Sequence, residues 1–382
     1  MNYLIIGSGL MGSALAYDLA HSNDVNSITL ADVDPKRAES VARTIGSPKI
    51  KTKQLDVNDY DAVIECMAGH VCTFGAVSYR YNYALTKAAI EAGTHYLDLG
   101  GNDEVVARQV TLHELAKKNN ILVLPNCGLA PGMANVIAAR GAEQFKQVER
   151  LTIRVGGLPQ NPKPPLNYQL VFSVEGLINE YTGKSITLRD YQIAEIDTMT
   201  EIESLEFPPP FGKLEAFHTS GGSSSLPQMF CGKVRHLDYK TIRYPGHCER
   251  FKTLLDLGFG SNEPITVGSN LMTAKEMFYE LLKRRLSGDS PDVVLMRIEI
   301  EGTKNGKQTT LRYELIDSYD KNANITAMMR TTSYPTSIIG QMIAQGAINE
   351  RGVMPPERCV PLQPFLEELR KRAINITEQE MK

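Results

Sequence analysis

The chain of 382 residues begins with a short apolar run that leads directly into three glycines spaced as G-x-G-x-x-G. Residues 3–6 have the composition of a buried parallel strand and residues 10–20 that of a helix, so the glycines lie on a strand-to-helix turn. Gly7 permits the tight turn, Gly9 has no Cβ to block a pyrophosphate, and Gly12 lets the helix pack closely on the strand. Phosphates bound there meet free N–H groups and the positive end of the helix dipole. The opening therefore predicts a dinucleotide-binding βαβ unit.

The acid that follows these glycines indicates which dinucleotide is bound. Asp32 ends a predicted second strand, residues 27–31, and stands twenty residues after the third glycine. A carboxylate at this point accepts hydrogen bonds from the adenosine ribose hydroxyls and repels a 2′-phosphate, so NAD is predicted over NADP. Arg37 keeps the alternative open, because its guanidinium can stack on the adenine or tolerate that phosphate.

Composition excludes several classes of function. The net charge is −3 and there is no basic block, so nothing indicates nucleic-acid binding. No apolar stretch approaches the roughly 18 residues of a membrane span, and the apolar start lacks the basic region of a signal peptide, so a cytoplasmic protein is expected. Six cysteines are scattered without a C-x-x-C pair, which predicts reduced thiols and no metal site.

Strand and helix signals alternate along the first third of the chain and predict a doubly wound parallel sheet, a Rossmann domain of residues 1–125, whose strand ends face the cofactor. The predicted strands are residues 3–6, 27–31, 49–55, 61–65, 96–97 and 121–124. The predicted helices are residues 10–20, 36–45, 79–92 and 104–118.

The pattern changes after residue 125 and predicts a substrate-binding α+β domain, residues 126–332, with a mixed or antiparallel sheet. Its predicted strands are residues 148–156, 293–301, 308–317 and 325–332, and Asn305-Gly306 is the turn signal of a hairpin. Residues 333–382 carry two predicted helices, 334–345 and 364–372, that are expected to pack back on the first domain. A sheet of this size also predicts a homodimer.

Later segments carry more specific motifs than the glycines do: YLDLGG at 96–101, GLAPGM at 128–133, FSVEGL at 172–177, LEAFHTSGG at 214–222 and YKTIRYPGH at 239–247. Together with GSGLMG at 7–12 they resemble the saccharopine dehydrogenase-like superfamily and, within it, the lysine 6-dehydrogenases. The resemblance implies that NAD removes a hydride from the ε carbon of lysine. Water then hydrolyses the imine to the 6-semialdehyde with loss of ammonia, and the aldehyde closes on its own α-amine.

Two positions depart from the relatives. Saccharopine reductases usually carry an acid where this chain has Ala130, which argues against saccharopine as the substrate. Relatives that act on lysine often carry Asp where Asn126 stands. The alternatives are a related amine or imine oxidoreductase, of the saccharopine, carboxynorspermidine or opine type, and a non-catalytic NAD-responsive regulator, for which no basic helix is visible.

The residues themselves also suggest a site for an amino acid. If residues 239–244 form a strand, alternation puts Arg243 on one face and Lys240 on the other. Arg243 can bind a carboxylate through two parallel hydrogen bonds, and its alternative role is a surface salt bridge.

Hydride can leave the ε carbon only when the adjacent nitrogen has a lone pair, yet a lysine ammonium has a pKa of about 10.4. A catalytic base is therefore required, and desolvation of the ammonium assists it. His247 is the first candidate because imidazole titrates near neutral pH, although a histidine at a helix start is often structural. Lys240 is the second candidate.

Further candidates follow from position in the chain. Asp98 ends a parallel strand, where it can hold the ammonium or take its proton, or instead act as a turn acid before Gly100. Glu175, His218 and Ser220 are expected to bind the amines or the head group. The remaining cofactor neighbours are expected after strand ends or beside the glycines: Leu10, Met11, Val33, Asp56, Val57, Met67, Ala68 and Asn126.

Overall fold

The computed structural model describes residues 1–288 and 290–381. The chain divides into two compact units. The first comprises Met1–Gln144, Ser224–Leu226 and Met329–Ile376, and the second comprises Phe145–Ser223, Pro227–Met328 and residues from 377 onward. In the part of the chain that the structure describes, no helix is both long and apolar enough to cross a membrane.

The described residues form eighteen strands, which run in chain order as follows. They are β1 Asn2–Ile6, β2 Ser27–Asp32, β3 Ile50–Gln54, β4 Cys72–Gly75, β5 His95–Asp98, β6 Leu122–Leu124, β7 Gln147–Pro159, β8 Lys184–Arg189, β9 Gln192–Asp197, β10 Glu203–Phe207, β11 Gly212–His218, β12 Val234–Arg243, β13 Pro264–Val267, β14 Asn270–Thr273, β15 Asp292–Lys304, β16 Lys307–Ser318, β17 Gly352–Val353 and β18 Thr377–Met381.

The same residues form thirteen α-helices and two short 3-10 helices, Tyr79–Tyr81 and Pro356–Arg358. The α-helices are α1 Leu10–His21, α2 Pro35–Ile45, α3 Tyr60–Met67, α4 Asn82–Ala92, α5 Asp103–Val110, α6 His113–Lys118, α7 Met133–Ala142, α8 Val174–Tyr181, α9 Leu226–Phe230, α10 His247–Asp256, α11 Ala274–Leu286, α12 Ala327–Ala344 and α13 Leu362–Lys371.

The first unit is built on a seven-stranded parallel sheet in the order β17-β6-β5-β4-β1-β2-β3. The order reverses beside β1, which lies between β4 and β2, and in such sheets ligands bind beyond the carboxyl ends of the strands at that point. The glycine turn directly follows β1. The predicted Rossmann-type parallel sheet is confirmed.

The prediction of a fourth strand at residues 61–65 is wrong, because this segment is helix α3. Asp59 caps the helix by accepting a hydrogen bond from the Ala62 N–H at 3.1 Å. Val63, Cys66 and Met67 then form one buried face at helical spacing. The fourth strand is β4, Cys72–Gly75. Residues 104–118, predicted as one helix, form the two helices α5 and α6.

The second unit has a nine-stranded mixed sheet with the path β10-β11-β12-β7-β15-β16-β18, while β8 and β9 branch from β12. Among the strand pairs described in this sheet, only β12–β7 is parallel. The β15–β16 hairpin is as predicted, since Lys304 pairs with Lys307 and leaves Asn305 and Gly306 as a two-residue turn. Both turn residues have positive φ, 51° and 76°, as a type I′ turn requires. The mixed-sheet second domain is therefore confirmed.

The predicted third antiparallel strand at residues 325–332 is wrong, because α12 begins at Ala327. The reason is a cap from a distant part of the chain. The Asp292 carboxylate accepts hydrogen bonds from the Ala327 N–H at 2.7 Å and the Met328 N–H at 2.9 Å. A capping carboxylate near a helix N-terminus stabilises the first turn, and no local sequence signal announces it.

The compact units of the structure divide the chain at a different residue from the predicted crossing at 125. Residues 126–144 belong to the first unit, because helix α7 packs against α13 and the 3-10 helix Pro356–Arg358 of the same unit. At the other end, strand β18 pairs with β16 and so belongs to the second unit.

An aromatic core in the second unit positions the site described below. Helices α8, α10 and α11 pack against β11, and their buried rings include Tyr181, Phe217, Phe251 and Phe278. Burying one such side chain contributes about 1.5–3 kcal/mol relative to leaving it in water. The end of β12 that carries Arg243 lies beside this cluster, because the Arg243 guanidinium contacts the Tyr181 ring.

Candidate functional site

The glycine turn of the first unit has the geometry of a phosphate-binding loop. Gly7 has a φ of +103°, which favours glycine, and its N–H donates to the Ala31 carbonyl at 2.8 Å. Gly9 precedes α1, and no side chain caps the helix there. A Cβ built on Gly9 meets nothing within 4 Å, so the space beside the helix N-terminus is open. A pyrophosphate fits this space and the N–H groups that face it.

Two alanine substitutions separate cofactor binding from folding. Gly9 has an ordinary φ of −70° and open space around it, so Gly9→Ala is expected to leave Tm unchanged but to weaken NADH binding about tenfold or more. A Cβ on Gly12 overlaps the Gly7 carbonyl, so Gly12→Ala is expected to lower both Tm and NADH binding. Thermal unfolding and NADH fluorescence titration measure the two effects. Unchanged NADH affinity in Gly9→Ala would place the phosphates elsewhere.

Asp32 is held firmly at the end of β2. Its Oδ2 accepts from the Ser8 N–H and the Ser8 hydroxyl, both at 2.7 Å, and its Oδ1 accepts from the Asp34 N–H at 2.9 Å and from Arg37 Nη2 at 2.6 Å. Burial alone raises the pKa of this carboxyl, but the hydrogen bonds from Arg37, Asp34 and Ser8 outweigh burial and lower it. Asp32 is therefore an anion at neutral pH, and its negative charge disfavours a 2′-phosphate.

Other predicted cofactor residues lie near this edge of the sheet. Asp56 and Val57 follow β3, and the Leu55 N–H donates to the Asp32 carbonyl at 2.9 Å, which places the pair beside Asp32. Leu10 and Val33 are apolar yet 56% and 58% exposed, so a bound cofactor would cover apolar surface here. The Met11 carbonyl already has a hydrogen-bond partner, since it accepts from Ser333 Oγ at 2.9 Å.

The predicted placement of Met67 and Ala68 after a strand is wrong. They end helix α3 instead of a strand, and Met67 is buried in the core of the first unit. The segment after the fourth strand begins with Ala76 and Val77, whose backbone and side chain lie against Gly7. The Ala76 N–H donates to the Ile6 carbonyl at 2.8 Å. Locating β4 correctly in the sequence would have found them.

Asp98 and Asn126 form a buried hydrogen-bonded group. The Asp98 carboxylate accepts from the Gly100 N–H at 2.8 Å, Gln109 Nε2 at 2.7 Å and the Asn126 N–H at 3.3 Å. These contacts correspond to the turn-acid role that the sequence left open for Asp98. Asn126 has a φ of +64°, and its Nδ2 donates to Ser224 Oγ at 3.2 Å.

The second unit contains a group of residues that we call the Arg243 site: Tyr168, Glu180, Tyr181, Tyr239, Arg243 and His247. Arg243 is only 2% exposed. Its Nε donates to the Tyr181 hydroxyl and its Nη1 to the Ile242 carbonyl, both at 2.8 Å. Its guanidinium lies 4.7 Å from the Tyr168 ring centre and 5.7 Å from that of Tyr181. A buried guanidinium held on aromatic faces is oriented and only partly neutralised.

Three polar groups of this site have no partner within residues 1–288 and 290–381. Arg243 Nη2 makes no hydrogen bond there, although Nε and Nη1 do. The Tyr168 hydroxyl is buried and has no hydrogen-bond partner. The Glu180 carboxylate is half-buried with neither hydrogen bond nor ion pair. Buried polar groups without partners are rare, so the fully buried Tyr168 hydroxyl is available to a polar ligand.

Glu180 has an unusual titration for a carboxyl group. Burial raises its pKa to about 7, although the positive charge of Arg243 acts in the opposite direction. Its position at the end of α8 is fixed by Ser220, whose N–H donates to the Glu180 carbonyl at 2.8 Å and whose Oγ donates to the Asn179 carbonyl at 2.7 Å. Ser220, predicted to bind the head group, thus holds the end of this helix. Glu175 lies in the first turn of α8.

His247 is in the Arg243 site, but its environment does not support the predicted role of catalytic base. Its Nδ1 lies 2.9 Å from the Leu166 carbonyl and its Nε2 3.0 Å from the Tyr181 hydroxyl. Since a carbonyl only accepts, Nδ1 carries the proton and Nε2 accepts from Tyr181. Burial, with the nearby Arg243 charge, lowers the pKa of His247 to about 3. His247 therefore orients Tyr181, which in turn orients Arg243.

This neutral histidine predicts a specific acid sensitivity. Unfolding restores a pKa of about 6.5, so the contribution of His247 to the free energy of unfolding is complete above pH 6.5 and is lost as pH falls toward about 3. The slope is at most about 1.4 kcal/mol per pH unit. Glu180, with its raised pKa, changes the free energy of unfolding in the opposite direction between about pH 4.5 and 7. The wild type and the His247→Gln variant both contain Glu180, so its contribution is the same in the two proteins.

We expect His247→Gln to be less stable than the wild type at pH 8, and the difference to shrink at pH 5. At pH 5 the folded wild type must keep His247 unprotonated, which destabilises it, whereas glutamine does not titrate. Urea unfolding at both pH values measures the difference. A wild-type advantage that is equal at pH 8 and pH 5 would contradict a neutral buried His247.

Lys240 and His218 lie on the opposite face of the sheet from Arg243, as strand alternation predicts for Lys240. Both belong to a charged network that comprises Arg154, Arg189, Glu201, Glu203, His218, Asp238 and Lys240. Lys240 Nζ donates to the Glu201 carbonyl at 2.7 Å and to Glu203 Oε2 at 3.0 Å. Lys240 is therefore an ion-paired cation, and the prediction that it acts as a neutral base is not supported.

His218 is likewise occupied. Its Nε2 lies 3.1 Å from Glu201 Oε2 and its Nδ1 3.3 Å from Ser185 Oγ, and burial lowers its pKa. The predicted amine-binding role of His218 is therefore not supported on this face.

The sequence analysis missed Tyr168, Glu180 and Tyr181. These residues come from a loop and a helix that are far in sequence from Arg243, and the FSVEGL motif ends only three residues before Glu180. The site combines a fixed cation, an unpaired phenol and a carboxyl that titrates near neutral pH. Such a group can bind a zwitterion and can accept a proton.

Comparison with known proteins agrees with this two-part architecture. Residues 3–124 match the saccharopine dehydrogenase NADP binding domain, and residues 128–374 match the saccharopine dehydrogenase C-terminal domain. The saccharopine dehydrogenase (NADP(+), L-glutamate-forming) of Schizosaccharomyces pombe is 22% identical, covering 98% of both chains. The carboxyaminopropylagmatine dehydrogenase of Synechocystis sp. is 23% identical over 96% of this chain and 94% of that protein.

Among solved structures, apo saccharopine dehydrogenase (L-Glu forming) from Saccharomyces cerevisiae has the same fold, with a TM-score of 0.80, 18% identity and full coverage of both chains. The two matched domains together span nearly the whole sequence. The chain therefore belongs to the saccharopine dehydrogenase family of oxidoreductases.

Proposed function

We propose that this protein is an NAD-dependent dehydrogenase that oxidises the ε-amine of L-lysine. The products are ammonia, NADH and 2-aminoadipate 6-semialdehyde, which cyclises to 1-piperideine-6-carboxylate. The observation that carries the proposal is the set of unpartnered groups in the Arg243 site, because a free amino acid satisfies both signs of charge in that set. The proposal assigns the cofactor to the first unit and the amine to the second.

The chain's own residues have distinct roles in this proposal. Arg243 Nη2 and the Tyr168 hydroxyl donate to the α-carboxylate, while Tyr181 and His247 keep the guanidinium in place. Gly7, Gly9, Gly12 and Asp32 would hold the dinucleotide, whose oxidised nicotinamide supplies the hydride acceptor when bound. NAD is the proposed form because Asp32 is an anion and its partner Arg37 is engaged with it.

A second candidate is a related oxidoreductase that acts on a bulkier secondary amine. The specific observation in its favour is the full-length similarity to carboxyaminopropylagmatine dehydrogenase. The resemblance to lysine 6-dehydrogenases favours the first candidate, as does Ala130, which stands where saccharopine reductases carry an acid.

A substrate panel distinguishes the candidates. Absorbance of NADH is followed at alkaline pH with L-lysine, D-lysine, L-ornithine, saccharopine and carboxynorspermidine, each with NAD and with NADP. We expect NADH from L-lysine and little reaction with the other amines. Reaction only with ornithine or a secondary amine would refute the lysine proposal. Light scattering in the same preparation tests the predicted homodimer.

A further inference from the structure

The reaction proposed above requires a proton acceptor on the same face of the sheet as Arg243. The candidates named from the sequence do not supply one. Lys240 and His218 are on the other face in the charged network, and His247 already uses both ring nitrogens. Asp98 is hydrogen-bonded in the first unit. A different residue must therefore accept the proton.

Glu180 has the geometry that such a group needs. It is half-buried at the end of α8, directly before Tyr181, and its backbone is anchored by Ser220. Its carboxylate has no hydrogen bond or ion pair within the described residues, so its lone pairs are available to a ligand. The negative end of the α8 dipole lies at the same place and also favours a cation.

The groups that face Glu180 set its charge. They are Arg243 and Tyr239 on β12, Tyr168 in the loop before α8, and Tyr181 on α8 itself. Arg243 is the one cation among them. The three phenols stay neutral at physiological pH, because burial raises the pKa of each. A substrate ammonium bound here would lie beside one carboxyl group, that of Glu180, which changes between its protonated and ionised forms near neutral pH.

We propose that Glu180 is the catalytic base, whose carboxylate takes a proton from the ε-ammonium of the bound substrate. The N–H bond breaks and an O–H bond forms on Glu180, which leaves the neutral amine with its lone pair. That lone pair forms the C=N bond as hydride leaves the ε carbon, with oxidised NAD as the acceptor. This assignment rests on the proposed lysine reaction.

The first test is the pH dependence of kcat/KM for L-lysine. In the wild type we expect an acid limb with a midpoint near pH 7, where Glu180 gains a proton. Glu180→Gln should lower kcat about 100-fold and remove that limb, and Glu180→Asp should retain a limb with lower activity. Glu195→Gln is the matched control, because it removes an exposed carboxylate on β9 of the same unit and should keep the wild-type profile.

The second test does not depend on turnover. L-lysine is bound in the presence of NADH, which cannot oxidise it, and calorimetry in buffers of different ionisation enthalpy counts released protons. At pH 6.5 the wild type should release roughly three quarters of a proton, the protonated fraction of a group with a pKa of about 7. Glu180→Gln should release none.

The outcomes separate this inference from the proposed function. A wild type that forms no NADH from L-lysine would refute the lysine reaction and, with it, the assignment of Glu180. A wild type that oxidises L-lysine, together with a Glu180→Gln variant that keeps the acid limb and the proton release, would overturn only the assignment of Glu180.

Discussion

Arg243→Lys is expected to lower kcat/KM for L-lysine about 10³-fold, with little change in NADH affinity. The guanidinium offers a planar fork that is already fixed by Tyr181 and by the Ile242 carbonyl. A lysine ammonium has no planar fork and cannot donate to Tyr181, to the Ile242 carbonyl and to the α-carboxylate in this fixed geometry. Losing the charge-assisted bonds from Nη2 to the α-carboxylate and from Nε to Tyr181, each worth about 1.5–3 kcal/mol, accounts for an effect of about 4 kcal/mol.

The measurement combines steady-state kinetics with NADH titration and thermal unfolding. Arg312→Lys is the matched control, because Arg312 is a half-buried arginine of the same sheet that pairs with Glu299 at 2.6 Å. It should keep the wild-type KM. If Arg243→Lys retained the wild-type KM for lysine, or lost NADH binding instead, Arg243 would not be the carboxylate-binding residue.

Asp32→Ser is expected to lower the ratio of kcat/KM for NAD to kcat/KM for NADP by about 10³-fold. With NAD the variant loses hydrogen bonds to the ribose hydroxyls. With NADP it gains, because the repelling charge is gone and Arg37, which now pairs with Asp32 at 2.6 Å, becomes available to the 2′-phosphate.

The double variant Asp32→Ser/Arg37→Ala isolates the second effect. It should lose the NADP gain but show the same weakened use of NAD as Asp32→Ser. Thermal unfolding is needed alongside, since Ser8 and Asp34 also lose an acceptor when Asp32 is replaced. A wild type that prefers NADP, or a double variant that keeps the gain, would contradict this role of Asp32 and Arg37.

The parts of the fold that were predicted correctly are those whose signals are local. The glycine turn and the Asn305-Gly306 hairpin each need a backbone conformation that a few neighbouring residues specify. Helix α12 was missed because its N-terminus is capped by Asp292, 35 residues earlier in the chain. Helix α3 was missed because Ala62-Val63-Ile64 has the composition of a short buried strand.

The candidate site was likewise predicted correctly only where the sequence signal is local. Strand alternation correctly predicted that Arg243 and Lys240 lie on opposite faces of the sheet, because alternation depends on the strand itself and not on tertiary contacts. It could not show that Lys240 pairs with the Glu203 carboxylate and donates to the Glu201 carbonyl, or that Tyr168 and Glu180 have no partners beside Arg243. Those properties arise only when sequence-distant segments pack together, and they change which residue we propose as the base.

The central claim is that hydride leaves the ε carbon of an amino acid whose head group is bound at Arg243. L-lysine carrying two deuterium atoms on the ε carbon tests this claim directly, with the deuterium content of the NADH measured by mass spectrometry. We expect one deuterium in each NADH formed. NADH that contains no deuterium from this substrate, but acquires it from L-lysine labelled at the α carbon, would contradict the account.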